Sequence, residues 1–137
     1  MKLRYKFDIF EDSKGLGDFG EEVARLYLES KGCEILARNY KFMRREIDII
    51  ARDGEYIVFI EVKTRTSSYN ITAAEQVGLK KQERIIYAAQ GWLLENDTGL
   101  QPRFDVIEIY RDIMADKNYV RRIENAFILT EKNRGRL

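Results

Sequence analysis

The chain has 137 residues, enough for one domain with a hydrophobic core of its own. Hydrophobic residues make up 45% and charged residues 34%, as in globular proteins, and a formal net charge of +1 does not by itself indicate a nucleic-acid binder. The single Cys33 excludes an internal disulfide framework, and the absence of histidine argues against zinc sites and His-based catalytic triads. No apolar run marks a signal sequence or a membrane helix, so we expect a cytoplasmic protein with no membrane partner.

The first predicted elements are an arm, a helix and a strand. Residues 1–16 are weakly patterned and predict a flexible N-terminal arm, which leaves residues 17–137 as the folded domain. A helix is expected to begin near Asp18, where apolar residues start to recur at helical spacing, and to end at Gly32. Residues 34–40 then predict the first strand.

A β-hairpin is predicted next, because Asp-Gly at 53–54 separates two runs rich in Ile, Val, Phe and Tyr. Side chains alternate along a strand, so Glu61 and Lys63 share one face. If Asp-Gly forms a two-residue turn, Asp48 lies opposite Phe59 and points to that same face. A three-residue loop would instead shift the register by one and send Asp48 to the other face.

The remaining elements are a helix and one or two strands. Residues 64–72 predict a polar loop, and residues 73–95 predict a second helix. A fourth strand is predicted at 103–110 and a loop at 111–118, while residues 120–129 fit either a short strand or a helical turn. The order helix, three strands, helix, strand predicts a single layered α/β domain with a central mixed β-sheet flanked by helices.

Charged side chains inside the apolar hairpin strands need an explanation, because an unpaired charge there costs free energy. One explanation is a metal site of a phosphodiester hydrolase. Asp48 and Glu61 would then share a hard cation such as Mg²⁺, and Lys63 would orient or deprotonate the attacking water. The alternatives are a surface aspartate at a strand end for Asp48 and a cross-strand ion-pair ladder for Glu61 and Lys63.

Three further residues are candidates for the same site. Glu21 could approach the metal from the first turn of its helix, or it could form a capping box with Asp18 three residues earlier. Lys81 falls on the inward face of the second helix, where a lysine either extends its amine to solvent or serves the site. Gln76 on the same predicted helix could contact phosphate, with a solvated glutamine as the alternative.

Basic and aromatic residues around the hairpin indicate a nucleic-acid partner. Arg44 and Arg45 precede the hairpin and Arg65 follows it, so all three could contact phosphates, with a solvated, ion-paired surface as the alternative. The aromatic residues of this region are Tyr40, Phe42 and Tyr69. They could stack on bases or form an exposed apolar patch for a protein partner, although aromatic residues more often belong to a core.

Six motifs follow one another along the chain. They are Gly20-Glu21, Arg38-Asn39-Tyr40, Glu46-Ile47-Asp48, Phe59-Ile60-Glu61-Val62-Lys63, Lys81-Gln82 and Arg103-Phe104-Asp105-Val106. This ordered set resembles the YraN-type proteins, a little-characterised bacterial family placed in the PD-(D/E)xK nuclease superfamily and similar in fold to archaeal Holliday-junction resolvases. An Asp followed by Glu-x-Lys is weakly specific, whereas the full set, spanning residues 17–110, is specific. This chain has Arg45 where the family usually has glycine.

The resemblance implies a restriction-endonuclease-like core in which Asp48 and Glu61 bind the metal, Glu21 is a further acidic member and Lys63 is the catalytic lysine. We therefore expect an endonuclease-like protein that depends on Mg²⁺, with Mn²⁺ as a substitute, and acts on DNA, including branched or structured DNA. Resolvase-like relatives also imply a homodimer. The alternative is a non-catalytic nucleic-acid-binding or protein-interaction module that keeps the nuclease fold, because fold and function separate easily.

Overall fold

The computed structural model of the protein describes residues 13–66 and 77–134, which form two helices and one five-stranded sheet. The elements in chain order are α1 (Ser13–Ser30), β1 (Glu34–Phe42), β2 (Arg45–Asp53), β3 (Tyr56–Thr66), α2 (Leu79–Glu95), β4 (Gln101–Asp112) and β5 (Lys117–Phe127). The strands lie side by side in sequence order, and only β3 and β4 pair in parallel. The prediction of a single layered α/β domain with a mixed sheet and flanking helices is confirmed.

The two helices cover opposite faces of the sheet, because its central strands are apolar on both sides. Phe19 and Val23 of α1 belong to one core, which we call the α1-side core, and Ile85 and Trp92 of α2 belong to the other, the α2-side core. The fully buried run 57–60 of β3 alternates between these two cores. Within the described part of the chain, neither helix is both long and apolar enough to cross a membrane.

One glycine sets how closely α1 approaches the sheet. A Cβ atom on Gly20 would lie 1.7 Å from Oγ1 of Thr64 on β3, so a larger residue could not occupy this position without a shift of the helix or the strand. The next residue of α1 is Glu21. The close approach of α1 to β3 at Gly20 therefore also fixes the position of the Glu21 backbone relative to the sheet.

The N-terminal boundary of α1 differs from the sequence prediction. The helix begins at Ser13, inside the segment predicted as a flexible arm, so Asp18 lies within the helix and cannot be its N-cap. The turns of helix before Phe19 are supported by the packing of Phe19 itself, which is 2% exposed. Residues 1–12, the rest of the predicted arm, lie outside the described residues.

The C-terminal half of the sheet is longer than predicted. β4 continues to Asp112 and β5 begins at Lys117, so the predicted loop at 111–118 is a tight turn between two strands. The ambiguous segment 120–129 is mainly strand, because β5 runs to Phe127. The predicted continuous helix over 73–95 was wrong at its start, because α2 begins at Leu79 and the extended Gly78 precedes it. Residues 67–76, which hold part of the predicted polar loop, lie outside the described residues.

The β2–β3 hairpin forms, but its turn is not Asp53-Gly54. Asp53 pairs with Tyr56, so the turn residues are Gly54 and Glu55, and the register is shifted by two from the prediction. The prediction that Asp48 lies opposite Phe59 was wrong, because Phe59 pairs with Ile50. A shift of two preserves the alternation of faces and moves Asp48 along β3 to the level of Glu61.

Candidate functional site

Strands β2 and β3 separate at Asp48. Their paired register ends at Ile49 and Ile60, and beyond that point the backbone N–H of Val62 donates to Oδ2 of Asp48 at 2.8 Å. The pleat of β2 is interrupted at the same place, because Ile47 lies in the α2-side core whereas Ile49 lies in the α1-side core. The Asp48 side chain therefore bridges two strands whose backbones no longer pair.

Three carboxyl groups from three elements meet here, and we call Glu21, Asp48 and Glu61 the carboxylate cluster. Asp48 lies in the middle and shares hydrogen bonds with both glutamates. Burial and then the charge of Asp48 raise the pKa of Glu61 from 4.5 to about 7, against the opposing effect of Lys81. Burial and the charge of Asp48 also raise the pKa of Glu21 from 4.5 to about 7. Burial, together with the closeness of the acidic groups, therefore favours the protonated forms of the two glutamates.

Glu21 reaches the cluster instead of capping its own helix. The predicted capping box with Asp18 is wrong, because both residues lie within α1. Asn39 on β1 contacts Glu21 from the other side: with its amide nitrogen turned toward Glu21, it donates to the two carboxyl oxygens at 3.3 and 3.2 Å. Sequence reasoning gave Asn39 a place in a motif but no role.

Two lysines flank the cluster. Nζ of Lys81 lies 3.6 Å from Oε1 of Glu61, and the lysine side chain is 48% exposed whereas the glutamate is 14% exposed. Lys63 follows Glu61 by two residues on the same face of β3, is partly buried and has Glu108 as its register neighbour on β4. The structure therefore brings both predicted lysines to this end of the sheet, while Gln76 lies outside the described residues.

The basic residues before the hairpin are held against α2. The guanidinium of Arg45 lies 4.1 Å from the ring centre of Tyr87, and Nη2 of Arg84 donates to the backbone carbonyl of Arg44 at 2.9 Å. Arg44 itself is exposed, as is Arg65 near the end of β3. The turn between β1 and β2 is therefore bordered by cationic side chains, and Arg84 among them lies on the helix that also carries Lys81.

The aromatic residues of β1 are not an exposed patch. Tyr40 and Phe42 are partly buried against the α2-side core, and Phe42 occupies the space that Gly91 leaves open, since a Cβ there would lie 2.6 Å from its ring. An interaction patch built on these two residues is therefore wrong. Tyr69 lies outside the described residues.

The donor atoms of the cluster suit a hard cation. They are carboxylate oxygens, which Mg²⁺ prefers, and Mg²⁺ in proteins is commonly bound through one or two carboxylates with water or phosphate completing the octahedron. Among the described residues, no three His, Cys, Asp or Glu side chains are arranged around a common point that would hold a metal ion. The cluster is a chain with Asp48 in its centre and with Glu21 and Glu61 each beside it.

A second group of charges occupies the opposite end of the sheet, near the start of β3 and β4. We call Asp53, Asp105, Arg103 and Arg122 the ion-pair network. Each aspartate contacts both arginines, at 2.9 to 3.0 Å, and Asp105 is 0% exposed. Hydrogen bonds from the two arginines outweigh the effect of burial and lower the pKa of Asp53. Asp105 and Arg103 belong to one sequence motif, whereas Asp53 and Arg122 lie far from them in the chain.

The ion-pair network has no overlap with the carboxylate cluster. A cavity of about 690 Å³ opens beside it, between α2 and the starts of β3 and β4, and is lined by residues such as Arg103, Phe104 and Phe127. None of the three clustered carboxylates lines this cavity. The acidic chemistry and the cavity are therefore separate features of the molecule.

Fold and site together define a layered α/β protein with acidic and lysine side chains gathered where two central strands part. The chain belongs to the uncharacterised protein family UPF0102, which matches residues 20–109. It is 43% identical over 117 residues to a UPF0102 protein of Clostridioides difficile (strain 630), covering 85% of this chain and 99% of the relative. It is also 46% identical over 110 residues to a UPF0102 protein of Chlorobaculum tepidum, covering 80% of this chain and 84% of that relative.

Proposed function

We propose that this protein is a Mg²⁺-dependent endonuclease-like enzyme that acts on DNA, with branched DNA among its substrates, and that it is related to the PD-(D/E)xK nucleases. The observation that carries the proposal is the carboxylate cluster, with Lys63 following Glu61 on the same face of β3. DNA as partner, Mg²⁺ or Mn²⁺ as cofactor, a homodimer and a cytoplasmic location are parts of this proposal.

The excess of acidic over basic groups in the carboxylate cluster supports the binding of a cation. Burying like charges together costs free energy, and the raised pKa values of Glu21 and Glu61 measure that cost. A purely structural cluster would be expected to contain matching bases, as the ion-pair network does. Lys81 is a cationic neighbour of Glu61, and its side chain is about half exposed, so it compensates the cluster only in part.

Each side chain has a role that follows from its position. Asp48 and Glu61 would hold the metal, with Glu21 as the outer acidic member. A bound Mg²⁺ supplies positive charge that stabilises the phosphate and lowers the pKa of water. Lys63 would position the attacking water or neutralise the charge that develops on the phosphate. Lys81 would guide the phosphate. The flanking phosphates would be bound by Arg44, Arg45 and Arg65. A similar contact for Gln76 stays a prediction.

Cleavage of labelled duplex, single-stranded and branched DNA with Mg²⁺ or Mn²⁺ tests the proposal. The double variant Glu61→Ala plus Lys63→Ala should lose at least about 100-fold in rate, because it removes a metal ligand and the catalytic lysine. The matched control is Glu55→Ala plus Lys31→Ala, an exposed acid and an exposed lysine at the opposite end of the sheet, which should keep the activity. Equal cleavage by the wild type and the first double variant would refute the assignment.

Metal titration by calorimetry tests the site without relying on cleavage. Asp48→Asn should weaken Mg²⁺ or Mn²⁺ binding, because it removes the central carboxylate, while its amide oxygen can still accept the N–H of Val62. Unfolding measured in parallel shows whether the variant keeps the fold. DNA binding that depends on salt, with no metal dependence and no turnover, would instead select a non-catalytic nucleic-acid-binding module.

A further inference from the structure

Asn39 adopts a backbone conformation that is unusual inside a strand. Its φ of +52° lies in the left-handed region, which most residues avoid and asparagine tolerates best after glycine. The flanking pairs Arg38 with Ile49 and Tyr40 with Ile47 place Asn39 directly across from Asp48. Asn39, with its left-handed backbone, therefore lies beside the point at which β2 stops pairing with β3.

We propose that Asn39 is a positioning residue, which holds the Glu21 carboxyl group beside Asp48 and depends on its left-handed backbone to do so. Its amide nitrogen contacts both oxygens of Glu21, at 3.3 and 3.2 Å. A donor shared between the two oxygens fixes the carboxyl group in place and in rotation. The effect on metal binding rests on the proposed function, whereas the effect on the position of Glu21 does not.

A neutral amide at position 39 has an advantage over a basic side chain. An arginine or lysine at the same place would hold Glu21 but would also neutralise the charge that a cation is meant to meet. The charge of Arg38 acts to lower the pKa of Glu21, but its guanidinium lies 3.2 Å from the carboxylate of Glu22. Asn39 thus supplies a neutral donor that orients an acidic group without consuming its charge.

The chain offers a matched control for the backbone. Asn125 on β5 has a φ of +53°, is exposed like Asn39, and lies beside the ion-pair network instead of the carboxylate cluster. Its contact with Asp105 is made by its backbone N–H, at 2.9 Å, so a glycine there keeps that bond. Asn39→Gly and Asn125→Gly therefore make the same chemical change in the same backbone conformation, and glycine tolerates that conformation at both sites.

Calorimetric titration of the full chain with Mn²⁺ is the first measurement. Asn39→Gly should lower the affinity on the order of tenfold, because the Glu21 carboxyl group loses its fixed position next to the metal ligand Asp48, while Asn125→Gly should leave it unchanged. In a Glu21→Gln background, Asn39→Gly should have no further effect, because its target is gone. Equal affinities for the wild type and Asn39→Gly would overturn the role of Asn39 in metal binding.

A crystal structure of Asn39→Gly is the second measurement, and it needs no metal. The Glu21 carboxyl group should move away from Asp48 in this variant and stay in place in Asn125→Gly. If the wild type takes up no Mn²⁺ but Glu21 moves, the positioning role stands and the proposed nuclease function falls. If the wild type binds Mn²⁺ and Glu21 stays beside Asp48, the positioning role falls and the nuclease proposal stands.

Discussion

The two ends of the sheet hold similar acidic residues in opposite electrostatic states. In the ion-pair network, two aspartates meet two arginines, and the pKa of Asp53 is lowered. In the carboxylate cluster, three acidic residues meet each other, and the pKa values of Glu21 and Glu61 are raised to about 7. Burial acts on both ends, so the difference comes from the partners.

The difference separates a structural use of charge from a functional one. Charges that hold a fold together are matched by opposite charges, because an unmatched buried charge is costly. Acidic groups that are left unmatched at one point indicate a binding site whose counter-charge comes from outside the chain. Four substitutions would break or sharpen this comparison, and they are ordered by expected effect.

The largest effect is expected at Asp105, in the ion-pair network. Asp105→Ala leaves Arg103 and Arg122 close together without their shared buried partner and should lower the free energy of unfolding by about 3–5 kcal/mol. Chemical denaturation measures this loss, with the exposed Asp97→Ala as control. A loss as small as that of the control would contradict the structural reading of the network.

A smaller loss is expected where α1 meets β3. Gly20→Ala places a Cβ 1.7 Å from Oγ1 of Thr64 and should lower the free energy of unfolding by about 1–3 kcal/mol. Gly17→Ala is the control on the same helix: a Cβ there meets nothing within 4 Å, so alanine should raise stability by up to about 1 kcal/mol. If both variants are stabilised, the close approach that positions Glu21 is not present in solution.

The carboxylate cluster should cost stability at alkaline pH. Below pH 4.5 Glu61 is protonated in both states. Between pH 4.5 and about 7 the folded chain still holds a proton that the unfolded chain has lost, so stability falls over this range and stays at its lower value above it. Glu61→Gln should therefore be more stable than the wild type by about 1–3 kcal/mol near pH 8 and equal to it at acidic pH. Glu55→Gln, at an exposed site, should show no such trend. Opposite pH dependence would mean that Glu61 is paired, as in the ion-pair network.

The smallest effect on stability is expected at Arg45. Its stacking on Tyr87 is partly exposed, so Arg45→Ala should lower the free energy of unfolding by about 0.5–1 kcal/mol. DNA affinity should fall and its dependence on salt should weaken, because one phosphate contact is lost. Arg52→Ala, an exposed arginine at the far end of β2, should leave both unchanged. Equal salt dependence in the two variants would remove Arg45 from the proposed DNA surface.

Much of the fold follows from local patterns in the sequence. Long apolar runs predicted β2 and β3, and helical spacing predicted α1 and α2. The two strands do form a hairpin, but its turn and register differ from the prediction. β5 was ambiguous because Arg121, Arg122 and Glu124 interrupt its alternation. Arg122 points to the ion-pair network 69 residues away from Asp53, and no local pattern contains that contact. The turn moved to Gly54-Glu55 for the same reason, since Asp53 is held as a strand residue by two distant arginines.

The sequence predicted which residues belong to the candidate site better than it predicted how they contact one another. Asp48 and Glu61 stand out as acidic residues inside apolar strands. Lys81 keeps helical spacing with the buried Ile85, although its own side chain is about half exposed. Glu21 could not be separated from a capping residue by spacing alone, because its contact with Asp48 depends on the fit of Gly20 against Thr64. The left-handed backbone of Asn39 likewise depends on tertiary structure, although asparagine is the residue type in which to look for it.

The single thiol of the chain gives one end of the molecule a natural reporter. Cys33 is 6% exposed, lies 4.0 Å from Nη1 of Arg122, and has its pKa raised by burial and by the charge of Asp53. We therefore expect a thiol reagent to modify Cys33 when the packing around it opens. The rate of labelling measures how often that region opens. Because the chain has a single cysteine, no engineered cysteine is needed and no second thiol contributes to the signal.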